Sequence, residues 1–330
     1  MRVRPERRSL NRGVIAATLS ILTVAAGLVA GSTSAQAAEV ACNNYSSSTT
    51  TCTNTQITIA GTSYSTDWYQ PNTTATALMV MQHGFSRGCG NLRGSSKAIA
   101  EKGVMVLCVN SSALGVDSAL ANSLGDVLNA RTIVPPKGKP LPVKYIVGGH
   151  SAGGQFASIT GARLAALGYP NLKGAILFDA VAQDGFSANL AAISAGGTRP
   201  VLEIAARPSL INLYNNGFGA LTDLPNSYVG VQLVWEKFNL GVFPYGGSCH
   251  IDVEGENTDV IGVAGAGCSP NSTQTARLRD FTSTWAKDMA TGTTTSAYYC
   301  TNAAVLSTCG SKVKDLVDRS LPVAALIPVS

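Results

Sequence analysis

The chain has little titratable chemistry to work with. Three histidines occur in 330 residues, and Asp, Glu, Lys and Arg together make up only 13% of them. No two of the eight cysteines stand at C-x-x-C spacing, which disfavours a zinc site. No run of 18 or more apolar residues follows the first 37, so no stable membrane insertion is expected of the remainder. No internal repeat is present. Charge of one sign is also missing. Five of the 24 basic residues and one of the 19 acidic ones lie within 1–37, and the rest is nearly neutral. That excludes an electrostatic case for nucleic acid or for an anionic membrane surface.

Residues 1–37 have the form of an export signal. Arg2, Arg4, Arg7, Arg8 and Arg12 make a basic start, 13–31 is apolar apart from Thr and Ser, and Ala35-Gln36-Ala37 is a small-x-small exit. Export by the general secretory route fits, and Arg7-Arg8 also permits a twin-arginine route. An exported chain meets an oxidising compartment, so an even number of cysteines reads as disulfides. Sequential neighbours each close a short loop, and the expected pairs are Cys42–Cys52, Cys89–Cys108, Cys249–Cys268 and Cys300–Cys309.

Apolar runs and breakers alternate in units that suit an α/β domain. Strands are expected over 56–60, 63–69, 77–81, 104–109, 143–148, 174–181, 200–206 and 229–235, and helices over 92–102, 118–132, 154–168, 188–194 and 273–289. This pattern implies a mostly parallel sheet with helices on both faces. The expected organisation is a signal at 1–37, one catalytic domain over 38–290, and a linker with a small appendage over 291–330.

One motif dominates. Gly149-His150-Ser151-Ala152-Gly153 falls between an apolar strand and a helical stretch. G-x-S-x-G in that setting is a nucleophile elbow, a sharp turn that presents the serine hydroxyl. A serine hydroxyl is a weak nucleophile and needs a base. His150 is next to the serine and points elsewhere, with packing or a local hydrogen bond as its role. His83 sits where an oxyanion loop belongs. His250, after the last strand, is the candidate base. The developing oxyanion needs donors: the N–H of Ala152 supplies one and that of Phe85, in Gln82-His83-Gly84-Phe85, the other. The acid is harder to assign. The segment after 200–206 carries no carboxylate, and Asp179 at a strand end is favoured over Glu203, Asp184 and Asp223. Asp252 more naturally braces its own loop. Phe85, Phe156 and Phe186 are the candidate substrate contacts.

These residues together, with Leu177-Phe178-Asp179 and His250-Ile251-Asp252, resemble the α/β-hydrolase superfamily over roughly 56–290. Within it the chain looks most like the chlorophyllase-like and dienelactone-hydrolase-like esterases and the secreted bacterial lipases. The resemblance implies the α/β-hydrolase fold, a Ser151–His250–Asp179 triad with the acid on the strand after the elbow unit, and carboxylic-ester hydrolysis without cofactor or metal. A lipid-like or aromatic ester and a monomeric enzyme are the corresponding expectations. The dense cysteines, the export signal and the appendage depart from the pattern, so chlorophyll is not implied as substrate. An acyltransferase on the same triad, or a secreted binding protein that keeps the fold without the chemistry, would share these motifs.

Overall fold

A computed structural model describes residues 42–112, 114–232, 249–254 and 272–319. The expected export signal, Cys268 and the expected strand residues beyond 232 lie outside them.

Alternate residues of the central strands face opposite ways, and each side finds its own helices. Strands β1 (Thr50–Ile59) and β2 (Thr62–Pro71) form a hairpin, followed by β3 (Ala77–Gln82), β4 (Val104–Val109), β5 (Tyr145–His150), β6 (Leu172–Phe178), β7 (Val201–Ala205) and β8 (Gly230–Gln232). Leu78 and Val80 pack on one face with Leu124 and Leu128 of α2 (Ser118–Ala130), Phe156 of α3 (Ala152–Ala166) and Leu190 of α4 (Phe186–Ser194). Met79 and Met81 pack on the other with Ile99 of α1 (Arg93–Glu101) and Phe281 and Trp285 of α6 (Ser272–Thr291). Burial on both faces explains why β3 and β4 read as unbroken apolar runs rather than alternating ones.

The eight strands lie in the order β1-β2-β4-β3-β5-β6-β7-β8. β1 and β2 are antiparallel to each other and β2 is antiparallel to β4; every later pairing is parallel. This is the mixed α/β-hydrolase arrangement. The order reverses about β3, so the loops leaving β3 and β5 open onto one crevice at the carboxyl ends of the strands, where α/β sheets carry their ligand sites.

Boundaries differ from the sequence expectation in instructive places. The elbow strand begins at Tyr145 and runs through His150, because Gln82 of β3 pairs with Gly149 and Phe178 of β6 with His150. The helix then starts at Ala152, directly after the serine. Two short helices, α5 (Phe218–Thr222) and α7 (Ser311–Arg319), lie outside every helix expected from the apolar pattern.

Residues 297–317 are not a loose tail. Ala303, Val313 and Leu316 join the core that holds Leu202, Ile204 and Trp285. Trp285 donates its indole N–H to the Tyr298 carbonyl at 3.1 Å, and Phe281 meets the Tyr298 ring edge-on at 5.0 Å. Disulfides join Cys42–Cys52, Cys89–Cys108 and Cys300–Cys309; Cys249 is also disulfide-bonded, with Cys268 outside the described residues. None of the described helices is long and apolar enough to cross a membrane.

Candidate active site

Ser151 sits between β5 and α3 with φ 56° and ψ −124°, backbone angles that a non-glycine residue rarely adopts and that mark stored strain. Neighbouring bonds hold it there. Its N–H donates to the Phe178 carbonyl at 3.1 Å, and its carbonyl accepts from Gly154 at 2.9 Å and Val181 at 3.1 Å. The turn also needs the glycine two residues on. A Cβ on Gly153 would come 2.2 Å from the Gln82 carbonyl and 2.5 Å from that of His83, so the helix could not pack against β3.

The turn after β3 closes against the serine from the other side. A Cβ on Gly84 would lie 2.9 Å from the Ser151 Cβ, which measures how near the two chains run. Arg87 N–H donates to the Gly84 carbonyl at 3.3 Å, making a tight turn with Phe85 and Ser86 at its tip. Phe85 is 42% exposed. His83, behind the turn, has its Nδ1 3.0 Å from the Gly84 carbonyl, and its Nε2 accepts from Ser111 N–H at 3.3 Å. That pattern is a neutral ring with the proton on Nδ1. Burial pushes its pKa below the usual histidine value.

His250 opens a 3₁₀ turn, His250–Val253, that Asp252 caps by accepting from Cys249 N–H at 2.6 Å. Its Nδ1 lies 2.6 Å from Asp179 Oδ2. The Asp179 carboxylate is fully buried and also accepts from Asn212 Nδ2 at 3.0 Å and Asn215 Nδ2 at 3.1 Å. Asp179 itself stands at φ 48°, a second left-handed residue at the heart of the site. With Nδ1–H donated to a carboxylate, the neutral imidazole keeps its lone pair on Nε2, the tautomer a general base requires. His150, the residue before Ser151, packs against the His250 ring at a tilt of 39° with centroids 4.4 Å apart, which ties the His250 loop to the elbow.

The other acidic candidates are placed differently. Asp184 and Asp223 are exposed. Glu203 is buried beside Asp179, but its Oε1 takes only Ala180 N–H, at 2.9 Å, and its Oε2 has no hydrogen-bond partner. Burial, with the Asp179 charge added, pushes its pKa up to about 8.

Two of the expected substrate contacts need correcting. Phe156 and Phe186 are each 2% exposed and belong to the core beneath α3 and α4, because their rings fill the space between helices and sheet. Exposed apolar side chains occur instead on the loop after β7: Leu210, Ile211, Leu213 and Tyr214. The same loop turns Asn212 and Asn215 inward to Asp179, and Leu213, Tyr214 and Asn215 are all left-handed, with φ of 48°, 55° and 58°.

Several residues of the site were invisible in sequence. Asn212, Asn215 and Gln232, which donates to Asn215 Oδ1 at 2.9 Å, form an amide cradle for Asp179. Arg87 and Glu254 form a buried ion pair beside His150. Neither group has a motif. The one available hint was negative: a polar, asparagine-rich segment without carboxylates where an acid was sought.

No family model matches this chain, and no curated protein does. Among solved structures it is similar to a dienelactone hydrolase from Anabaena variabilis ATCC 29413, at 17% identity and a TM-score of 0.45, over 56% of this chain and 86% of that one.

Proposed function

We propose that the chain is a secreted serine hydrolase of carboxylic esters, with Ser151 as nucleophile, His250 as base and Asp179 as acid. The observation that carries this reading is the 2.6 Å contact from Asp179 to His250 Nδ1, made beside a serine held in elbow geometry. A buried carboxylate, an oriented imidazole and a strained serine at the carboxyl ends of neighbouring strands are the parts nucleophilic acyl transfer needs.

The chemistry runs in two halves. Ser151 Oγ attacks the ester carbonyl carbon while His250 Nε2 takes the hydroxyl proton. Negative charge gathers on the carbonyl oxygen, where the N–H groups of Phe85 and Ala152 receive it. Ala152 is the first residue of α3, so the positive end of that helix adds to the effect. The C–O bond to the alcohol breaks, and His250 returns its proton to the leaving oxygen. Water then repeats the sequence on the acyl-enzyme, giving the acid and the free serine. Asp179 holds the imidazole and balances the positive charge that the ring carries within each half, after it has taken a proton and before it gives one back.

The substrate side is apolar. Phe85 on one lip and Leu210, Ile211, Leu213 and Tyr214 on the loop after β7 offer hydrophobic surface at the carboxyl ends of the strands, which suits an acyl chain or an aromatic acid. Export is supported by the form of 1–37 and by the disulfides. The decisive experiment is labelling with a fluorophosphonate, whose phosphorus bonds to the serine oxygen as fluoride leaves. One adduct on Ser151, absent from the folded Ser151→Ala variant, is expected; a folded wild type without an adduct overturns the reading.

A further inference from the structure

Glu254 is the point at which three loops meet. It ends the 3₁₀ turn begun by His250 and its side chain is completely buried. The Arg87 guanidinium grips it in a fork: Nε lies 2.9 Å from Oε1 and 2.8 Å from Oε2, and Nη2 is 2.8 Å from Oε2. Arg87 is also the residue whose N–H closes the turn at Gly84. On its other side, Glu254 Oε1 packs 3.2 Å from His150 Nδ1 without a hydrogen bond, and the same ring donates from Nε2 to the His250 carbonyl at 2.9 Å. Ser95 Oγ fixes the Glu254 backbone by donating to its carbonyl at 3.1 Å. One carboxylate therefore links the oxyanion turn, the residue before the nucleophile and the loop of the base.

We infer that Glu254 is a positioning residue, which through Arg87 and His150 makes the oxyanion turn, the elbow and the base loop move as one body. A buried ion pair gains little net stability, because desolvation of both charges offsets their attraction. What it supplies is geometry. A guanidinium on a carboxylate is planar and two-pronged, so it sets the angle of the turn as well as its distance. The residues joined are 167 positions apart, so no local chain connection performs the same task. The inference rests on the serine-hydrolase reading for its catalytic meaning, but the mechanical coupling can be measured without it.

The test uses the full-length protein and the variants Glu254→Gln, which keeps the size but loses the charge and one acceptor oxygen, and Arg87→Lys, which keeps the charge but loses the fork. Active-site titration with the fluorophosphonate counts folded, competent sites. Per titrated site, kcat on a soluble p-nitrophenyl ester is expected to fall ~10–100-fold with KM within about threefold, since misplaced donors weaken the transition state more than the ground state. Hydrogen exchange of the amides at 83–88 and 249–254 is expected to quicken together in both variants. A site that merely loses stability would show fewer titrated sites with unchanged kcat per site, and that result overturns the inference. So does faster exchange confined to one of the two loops. If wild-type protein takes no label, the serine-hydrolase reading falls, and the paired exchange still decides whether Glu254 couples the loops.

Discussion

Two buried glutamates flank the candidate base, and they live opposite lives. Glu254 meets a guanidinium and an imidazole. Burial alone would raise its carboxyl, but the His150 ring and the Arg87 guanidinium reverse that and bring its pKa down to about 2. Glu203 meets one backbone N–H and the field of Asp179, and its pKa rises to about 8. Equal burial gives opposite charge at neutral pH, so what decides ionisation here is the partner rather than the depth. The same comparison supports Asp179 over Glu203 as the proposed acid. Asp179 gathers two asparagine amides and the imidazole; Glu203, next to it, gathers none of them and stays protonated.

The largest effect that sharpens this contrast is catalytic. Asp179→Asn keeps the shape but reverses the tautomer preference of His250, and kcat per titrated site should drop ~10⁴-fold. Glu203→Gln mimics the protonated glutamate and should stay within about threefold of wild type. The reverse order of the two rates would move the acid to Glu203.

Next comes alkaline stability. A carboxyl with its folded pKa raised from 4.5 to about 8 binds a proton in the folded state that the unfolded chain has released. Its contribution is full below pH 4.5 and is lost as pH rises through 8, by at most about 4–5 kcal/mol at 1.36 kcal/mol per unit. Urea midpoints measured from pH 5 to 9 should fall steeply for wild type and more gently for Glu203→Gln. Parallel slopes would mean that Glu203 is not protonated in the folded protein.

Acid stability tests the other glutamate with the opposite sign. Glu254 is depressed from 4.5 to about 2, so its stabilisation is present above pH 4.5 and lost as pH falls through 2. At most about 3–4 kcal/mol is involved. Glu254→Gln should flatten that limb of the stability curve while leaving the alkaline limb unchanged. An unchanged acid limb would mean that the partners of Glu254 do not hold it ionised in the folded protein.

The smallest expected effect lies on the apolar loop that cradles the acid from outside. Leu210→Ser or Tyr214→Ser should raise KM for a long-chain p-nitrophenyl ester ~3–10-fold and leave an acetyl ester unaffected, in line with one apolar contact in a pocket. Equal effects on both esters would place the acyl chain elsewhere.

How much of this was legible in sequence follows from the range of each signal. The elbow was readable because its chemistry is local: a β-branched run, small residues about a serine, then a helix. The sheet was readable for the same reason, since burial on both faces leaves continuous apolar runs such as Ala77–Gln82. His250 could be nominated by elimination among three histidines, and the structure places its Nδ1 2.6 Å from Asp179. The supports could not. Asn212 and Asp179 are 33 positions apart, and Arg87 and Glu254 are 167 apart; nothing in either neighbourhood announces the partner. Phe156 and Phe186 misled because an aromatic ring near a motif looks the same whether it faces a substrate or fills a core. The appendage was opaque because its apolar residues are scattered, and they gain meaning only against Trp285 and Leu202.

The Cys89–Cys108 bridge carries a practical consequence. It fastens the start of the short turn Cys89–Leu92, just past the loop that follows β3, to β4, and Cys89 N–H adds a bond to Asn110 Oδ1 at 2.9 Å. Protein produced in a reducing cytosol would leave that fastening as two thiols, with the loop that carries Phe85 tethered by the ion pair and hydrogen bonds alone. The specific activity of any recombinant batch then records the redox history of the host as much as the sequence, and a thiol count belongs beside every rate measured on it.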